Sequence, residues 1–333
     1  MIQRIKFWAM ALTPLAVVLA AALHFALFLT TPVSPEEELL YTVAPGSSLS
    51  NIAAGLEDQG VIANDGYFIA LARLKQSAAR IQAGEYLFGE RPATPATVLD
   101  RLVTGDVRLE RLTIPEGFAL TEIADLVEAR ELGSAGRLLD LAHDGDFIES
   151  LGLEVDSLEG YLFPETYTFA RGTTEKQLLK AMVGQMNRNL TTELLSKGAA
   201  LGLARHELVT LASIIQKEAG TDEEMPRISS VFHNRLERGM RLQADPTVIY
   251  GIEDFDGNLT RRHLEDVTPY NTYRLSGLPP GPIASPGAEA LQAAANPADT
   301  DALYFVSRGD GSHVFSKTLG EHNRAVRRYQ LGR

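Results

Sequence analysis

An uncharged apolar stretch near the start of the chain, residues 7–29, restricts its fold more than any other feature. A helix needs about 20 consecutive apolar residues to cross a bilayer. Arg4 and Lys6 precede the stretch, and the acidic run Glu36–Glu38 follows it. Because basic flanks stay in the cytoplasm, the sequence predicts a single-pass transmembrane helix with residues 1–6 cytoplasmic and the rest of the chain outside the cytoplasm.

A cleaved signal peptide is the main alternative for this stretch. Ala20–Ala22 could supply a small-residue cleavage site, but the apolar run continues to Leu29. That is longer than the usual apolar region of a signal peptide, so an uncleaved anchor in the cytoplasmic (inner) membrane is favoured. A buried helix of a soluble protein is a third, weaker interpretation.

Composition narrows the possible functions. The 333 residues suffice for two or three compact units, and the formal net charge is −12. A nucleic-acid backbone would be repelled by such a charge, so no nucleic-acid partner is expected. The chain has no cysteine, which excludes disulfides and thiol catalysis.

Two segments after the apolar stretch share a strand, a glycine turn and a helix. Residues 41–62 align without gaps on residues 112–133, which suggests either a duplication or two similar local units. Ser48 is a plausible N-cap for the first of these helices. The positions that match are Thr42, Gly46, Leu49, Ile52, Ala53 and Glu57 with Thr113, Gly117, Leu120, Ile123, Ala124 and Glu128.

The motif YTVAPGSSLSNIA at 41–53 resembles the start of a LysM module, in which two helices pack on a two-stranded sheet and bind N-acetylglucosamine chains. We therefore expect a LysM-like module at 39–105 and a second strand–turn–helix unit with connecting chain at 106–158. A larger α+β domain is expected at 159–333. Apolar periodicity predicts helices near 174–197, 205–219 and 223–238. The predicted fold class is α+β with an N-terminal transmembrane helix.

Glu218 is the carboxylate that stands out in the larger domain. It follows Ile214 by four residues and Leu211 by seven, so it lies on the apolar side of its helix, and Gly220 is expected to end that helix. Burial and the negative end of a helix both raise a carboxyl pKa, as general-acid catalysis requires. The alternative is a frayed helix end, with Glu218 in solvent or paired with Lys217 or Arg227.

Long motifs then resemble one family in order along the chain. They are EGYLFPETY at 159–167, LASIIQKEAG at 211–220, LQADPTVIYG at 242–251, YNTYRLSGLPPGPIASPG at 270–287 and GDGSHVFSKTLGEHN at 309–323. These segments look like the MltG (YceG-like) family of endolytic murein transglycosylases. The resemblance covers the chain from the anchor onward and places Glu218 at the family's catalytic glutamate.

This resemblance implies a lyase that cleaves the β-1,4 bond between N-acetylmuramic acid and N-acetylglucosamine within glycan strands. It implies 1,6-anhydromuramyl ends, no cofactor, a role in ending strand elongation, and membrane-bound peptidoglycan synthases as partners. A second catalytic carboxylate, as in glycosidases, is not required, and Glu165 and Glu321 are weaker candidates for one. The residues expected to line the substrate groove are Gln243, Asp245, Tyr270, Asn271 and Tyr273.

Each groove candidate has a structural alternative. Asp245 precedes a proline and could cap a turn, while the tyrosines could belong to the core. His313, Glu321 and His322 do not have a familiar metal-ligand spacing, so no metal is expected. A non-catalytic glycan-binding scaffold and a water-using muramidase remain the rival functions.

Overall fold

The computed structural model describes residues 2–35, 37–170 and 172–332, with side chains from Ala16 onward, as a mixed α+β protein. It divides into two compact units. The first comprises Met1–Glu110 with Thr168–Gly172, and the second comprises Arg111–Tyr167 with Thr173–Arg333.

The first unit has the element order strand–helix–helix–strand after its N-terminal helix, and a further helix follows. Its two strands pair antiparallel, with Tyr41 opposite Tyr86. Every second strand residue points into the core, as the pleat requires, and the Tyr41 hydroxyl donates to the Ile52 carbonyl at 2.8 Å. The elements are α1 Ile2–Thr30, β1 Leu39–Val43, α2 Leu49–Asp58, α3 Asp65–Leu74, β2 Gly84–Phe88 and α4 Pro95–Thr104.

Helix α1 is apolar over its described side chains. Val17–Leu19, Leu23 and Leu27 are more than half exposed, whereas Phe28 is buried against the first unit's core. The side chains of residues 7–15, which belong to the predicted membrane span, lie outside the described ones, as do those of Arg4, Lys6 and Glu36.

Within the described side chains, no single helix is both long and apolar enough to cross a membrane, and 16–30 forms a shorter apolar helix. Only the bent pair Thr192–Ala200 and Arg205–Glu218 meets the criteria of length and composition together. The second helix of that pair is buried in the second unit, which is where a core helix belongs.

The second unit surrounds a buried central helix, α10 (Arg205–Glu218), which packs on α9 (Thr192–Ala200), α11 (Met225–Glu237) and α14 (Ala288–Ala295). Within this unit, strands β5 (Tyr304–Ser307) and β6 (His313–Ser316) form an antiparallel hairpin. Strands β3 (Leu109–Thr113) and β4 (Thr166–Ala170) form a separate two-stranded sheet of the protein. The helices are α5 Leu120–Ala129, α6 Ala135–Ala142, α7 Gly145–Ser150, α8 Glu175–Asn189, α9 Thr192–Ala200, α10 Arg205–Glu218, α11 Met225–Glu237, α12 Asp245–Tyr250, α13 Arg261–Glu265, α14 Ala288–Ala295 and α15 Leu319–Tyr329.

Two local predictions need correction. The helix expected at 174–197 is two helices, because Thr191 caps the start of α9 and accepts a hydrogen bond from the Leu194 amide at 3.2 Å. Gly220 does not end α10 in a left-handed conformation, since the helix stops at Glu218 and Ala219 is extended. Gly220 is instead needed for close approach, because a side chain there would collide with the Gly311 carbonyl.

The strand–turn–helix prediction holds for both similar segments. Gly46 and Gly117 adopt φ of 80° and 75° in the two turns, and Ser48 accepts from the Asn51 amide as the N-cap of α2. The second turn is tied into the second unit, since the Gly117 amide donates to the Ser285 carbonyl at 2.8 Å. Most of the connecting chain expected at 106–158 therefore packs with the larger unit.

Gly160→Ala should destabilise the protein more than Gly152→Ala does. Both glycines have φ of 75°, which costs an alanine about 1 kcal/mol, but a Cβ at Gly160 would also collide with the Pro282 ring. A Cβ at Gly152 meets no atom within 4 Å. We expect an additional loss of about 1–3 kcal/mol at Gly160, measured by denaturant unfolding of the full chain in detergent. Equal losses would contradict this packing.

Candidate active site

Glu218 is positioned by the burial of α10. Every residue from Leu208 to Ile215 is buried, so the helix cannot rotate or slide without opening the core. Gln216 and Lys217, the two residues before Glu218, are held by neighbouring backbone. Gln216 accepts from the Gly287 amide at 2.9 Å, and Lys217 donates to the Gly117 carbonyl at 3.1 Å. The last side chain of the helix therefore has a defined direction.

Glu218 opens into a cavity of about 470 Å³ that lies wholly within the second unit. Its walls come from the end of α10, from α11 and α15, from the segment before α12, and from the β5–β6 hairpin. The lining residues are Glu218, Arg235, Leu242, Gln243, Asp245, Tyr273, Tyr304, Phe305, Val306, Ser307, His313, Leu319, His322, Val326 and Gln330.

The environment of Glu218 favours the protonated acid. Burial raises the pKa of Glu218 to about 8, and the negative charge of Asp245 adds to the shift, while Arg235 opposes it. Lys217 and Arg227, the two ion-pair partners that the sequence suggests for Glu218, do not pair with its carboxyl. Lys217 binds the Gly117 carbonyl, and Arg227 stacks over the Phe315 ring at 4.1 Å. A carboxylic acid that keeps its proton at neutral pH is suited to general-acid catalysis.

Asp245 is the second carboxylate of the cavity. It is the first residue of α12 rather than its cap, which is Ala244, and its Oδ1 accepts from the Tyr273 hydroxyl at 2.6 Å. The buried Thr272 holds this end of α12 in place, since its Oγ1 accepts from the Ala244 amide at 3.0 Å and lies 2.8 Å from the Thr247 hydroxyl. These hydrogen bonds of Thr272 therefore fix the orientation of Asp245 and of Tyr273, which is bonded to it.

Gln243 enters the cavity from a strained backbone. Its φ is 50°, in the left-handed region that non-glycine residues rarely adopt, and its amide donates to the Thr272 carbonyl at 3.1 Å. Such strain persists only where the surroundings enforce it, and it concentrates at functional sites. The exposed Gln243 side chain is thus held at the cavity at a cost in stability.

Tyr270 and Asn271 are not brought into this cavity. The Tyr270 ring packs against Tyr250 with centroids 4.7 Å apart and lines a separate space of about 350 Å³ beside Glu159. Asn271 is buried, and its Nδ2 donates to three backbone carbonyls while its Oδ1 accepts from the Tyr273 amide. Asn271 therefore shapes the loop that presents Tyr273.

The weaker carboxylate candidates also lie elsewhere. Glu165 is exposed and accepts from the Thr166 amide, and Glu321 accepts from the amides of Lys317 and Thr318 at the start of α15. His313 pairs with Glu224, its Nδ1 lying 2.7 Å from the carboxylate. Among the described residues, no group of histidines and carboxylates is arranged to hold a metal ion.

Arg235 was missed by sequence analysis. It follows Val231 by four residues and Ile228 by seven, both fully buried, so it lies on the apolar face of α11. The spacing argument that singled out Glu218 would have found it too. Tyr304 and His322, whose rings stack with centroids 5.3 Å apart, line the same cavity but carry no comparable signal in the sequence.

Comparisons with known proteins find relatives of similar sequence over most of the chain. The endolytic murein transglycosylase of Bacillus subtilis (strain 168) is 34% identical over 330 residues, covering 94% of this chain and 91% of that protein. A protein of the same name from Streptococcus pneumoniae serotype 2 (strain D39 / NCTC 7466) is 31% identical over 89% of this chain, which spans only 59% of that relative.

A solved structure resembles the fold as well. The 2.6 Å crystal structure of a YceG-like protein from Listeria monocytogenes superposes with a TM-score of 0.60 at 33% identity, covering 87% of this chain and 99% of that one. The model of the YceG-like family matches residues 41–328, which include Glu218 and every residue that lines its cavity except Gln330. The chain belongs to the YceG-like family.

Proposed function

We propose that this protein is an endolytic murein transglycosylase that cleaves the β-1,4 bond between N-acetylmuramic acid and N-acetylglucosamine within glycan strands. The observation that carries the proposal is the position of the Glu218 carboxyl, which opens into a cavity beside a second carboxylate and whose pKa burial raises to about 8. The activity in the names of the relatives supports the same reaction.

The first step is protonation of the glycosidic oxygen by Glu218. The C1–O bond breaks, the N-acetylglucosamine leaves as an alcohol, and positive charge develops at C1 and the ring oxygen of the muramic sugar. Asp245 and the substrate's own acetamide stabilise that charge, because a fixed negative group placed where positive charge develops favours the transition state. Tyr273 holds the Asp245 carboxylate through the 2.6 Å hydrogen bond.

The second step closes a ring within the muramic sugar. The Glu218 carboxylate takes the proton of the C6 hydroxyl as the C6 oxygen bonds to C1, which gives a 1,6-anhydro end. The proton returns to Glu218, so the acid is regenerated and no water is consumed. Arg235 supports this half of the reaction, since its charge favours the ionised form of Glu218.

We further propose that α1 anchors the enzyme in the inner membrane, with the N-terminus in the cytoplasm. The large apolar side chains exposed at Val17–Leu19, Leu23 and Leu27 support this assignment, since lipid would cover them. The catalytic unit is then extracytoplasmic, where it meets strands made by membrane-bound peptidoglycan synthases and terminates their elongation.

Residues 39–105 of the first unit are proposed to act as a LysM-like module that binds the glycan. The order β1–α2–α3–β2 and the antiparallel pairing of its two strands support the proposal. After the membrane anchor and the LysM-like module, we propose that the segment 159–333 is the catalytic domain. This segment contains all residues that line the Glu218 cavity.

Glu218→Gln should reduce cleavage of uncrosslinked glycan strands by at least about 10²-fold, because glutamine has no proton to transfer. Full-length protein in detergent would be incubated with the strands and the products identified by mass spectrometry. Glu165→Gln, the matched control outside the cavity, should cleave normally. Products with reducing ends would indicate a muramidase, and strands that bind but stay intact would indicate a scaffold.

Asp245→Asn should move the alkaline limb of the pH–rate profile to lower pH. Cleavage requires protonated Glu218, so activity falls as pH rises through about 8 in the native enzyme. Removing the Asp245 charge lowers this pKa, but burial is the larger cause, so the limb stays above the ordinary glutamate value of 4.5. Tyr273→Phe keeps the charge and should leave the limb near 8. An unmoved limb in Asp245→Asn would rule out this coupling.

Gln243→Gly should stabilise the protein by about 0.5–1 kcal/mol and lower kcat/KM, because glycine relieves the strained φ but removes the side chain from the cavity. Gln76→Gly is the matched control, since Gln76 has a φ of 52° in the first unit, outside the cavity. It should gain similar stability, measured by denaturant unfolding, without loss of activity. Loss of activity in both variants would remove Gln243 from the site.

A further inference from the structure

Arg235 is a buried cation whose guanidinium is held rigidly. The side chain is 7% exposed. Its Nε donates to the Leu303 carbonyl at 2.7 Å, and its Nη1 donates to the Leu242 carbonyl at 2.6 Å. The Tyr304 ring lies below the guanidinium at 5.2 Å. A third, longer bond joins Nη1 to the Arg241 carbonyl at 3.4 Å, so backbone carbonyls and an aromatic face together orient the plane of the group.

The remaining nitrogen of the guanidinium, Nη2, has no hydrogen-bond partner among the described residues. It is nevertheless accessible to solvent. Since Arg235 lines the Glu218 cavity, Nη2 is the donor that a bound molecule can reach. No carboxylate of the described side chains lies within the 4.0 Å of an ion pair with it. A buried guanidinium that makes no direct ion pair and has a free donor facing a cavity can bind an anionic or acyl oxygen there.

The proposed substrate offers one group of that kind on only one of its two sugars. Both sugars carry a neutral acetamide, but the muramic sugar also bears a lactoyl group on O3. The lactoyl carbonyl is a carboxylate where the strand carries no peptide and an amide where a peptide is attached. Guanidinium groups match carboxylates in geometry as well as charge.

We infer that Arg235 binds the lactoyl carbonyl group of the muramic sugar and thereby selects that sugar, rather than N-acetylglucosamine, for the position beside Glu218. This rests on the proposed function, which it deepens by naming the group that sets the side of the cut.

The test compares two substrates on one preparation. Full-length Arg235→Gln in detergent would be assayed on uncrosslinked strands with peptides and on strands stripped of peptides by an amidase, which leaves the free lactoyl carboxylate. Charge-assisted hydrogen bonds are about twice as strong as neutral ones. We expect kcat/KM on stripped strands to fall by about tenfold more than on peptide-bearing strands, mainly through KM.

The ratio between the substrates does not depend on the folded fraction, so partial unfolding of Arg235→Gln leaves the test valid. Arg235→Lys, which retains a charge, should keep part of the preference and serves if the glutamine variant does not fold. Arg238→Gln removes the same charge from the exposed end of α11 and should leave the ratio unchanged. Equal losses on both substrates would overturn the inference and leave Arg235 a structural residue.

Binding separates this inference from the proposed function. In a Glu218→Gln background, adding Arg235→Gln should weaken the binding of stripped strands by about tenfold more than the binding of peptide-bearing strands. This holds even if the native protein cuts neither substrate, in which case the transglycosylase assignment alone fails. Equal weakening with both strands overturns the lactoyl assignment.

Discussion

The arrangement of the second unit depends on the burial of α10. Eight consecutive residues of this helix, Leu208 to Ile215, are buried, and α9, α11 and α14 pack around it. Such close packing leaves the helix no alternative position, so its last side chain is placed as firmly as a core residue although it faces a cavity. The hydrophobic packing of α10 therefore fixes the acid, and no hydrogen bond from the described part of the chain occupies its oxygens, which stay available to a substrate.

Two charges of opposite sign act on that acid. Asp245 raises the proton affinity of Glu218 and Arg235 lowers it, and burial tips the balance toward the protonated form. The two charged side chains are held in place independently. Asp245 lies at the start of α12, which Thr272 fixes by a hydrogen bond to the Ala244 amide, and Arg235 donates to the Leu242 and Leu303 carbonyls. An acid that must both give and take a proton in one turnover benefits from neighbours that stabilise each of its states.

Sequence reasoning reached Glu218 because a carboxylate at helical spacing on an apolar face is chemically conspicuous. Arg235 has the same kind of spacing on the apolar face of α11, four residues after Val231 and seven after Ile228. Asn271 could not be separated from Gln243 by sequence alone, because both sit in polar, loop-forming motifs. Only the three-dimensional hydrogen bonds reveal that one amide is consumed by backbone carbonyls while the other enters the cavity. The break between α8 and α9 was invisible to apolar periodicity, which continues across it.

Gly220 limits how far the acid can reach. Two residues beyond Glu218 the chain passes so close to the Gly311 carbonyl, at the tip of the β5–β6 hairpin, that no side chain fits between them. Steric contact with the hairpin thus prevents the end of α10 from moving toward it. Extending the helix by a turn, or lengthening the hairpin tip, would have to move one against the other. The tip of the β5–β6 hairpin, a loop distant in sequence, consequently determines how far Glu218 extends into the cavity. The end of α10 and the hairpin tip must therefore change together when the cavity is enlarged for a bulkier strand.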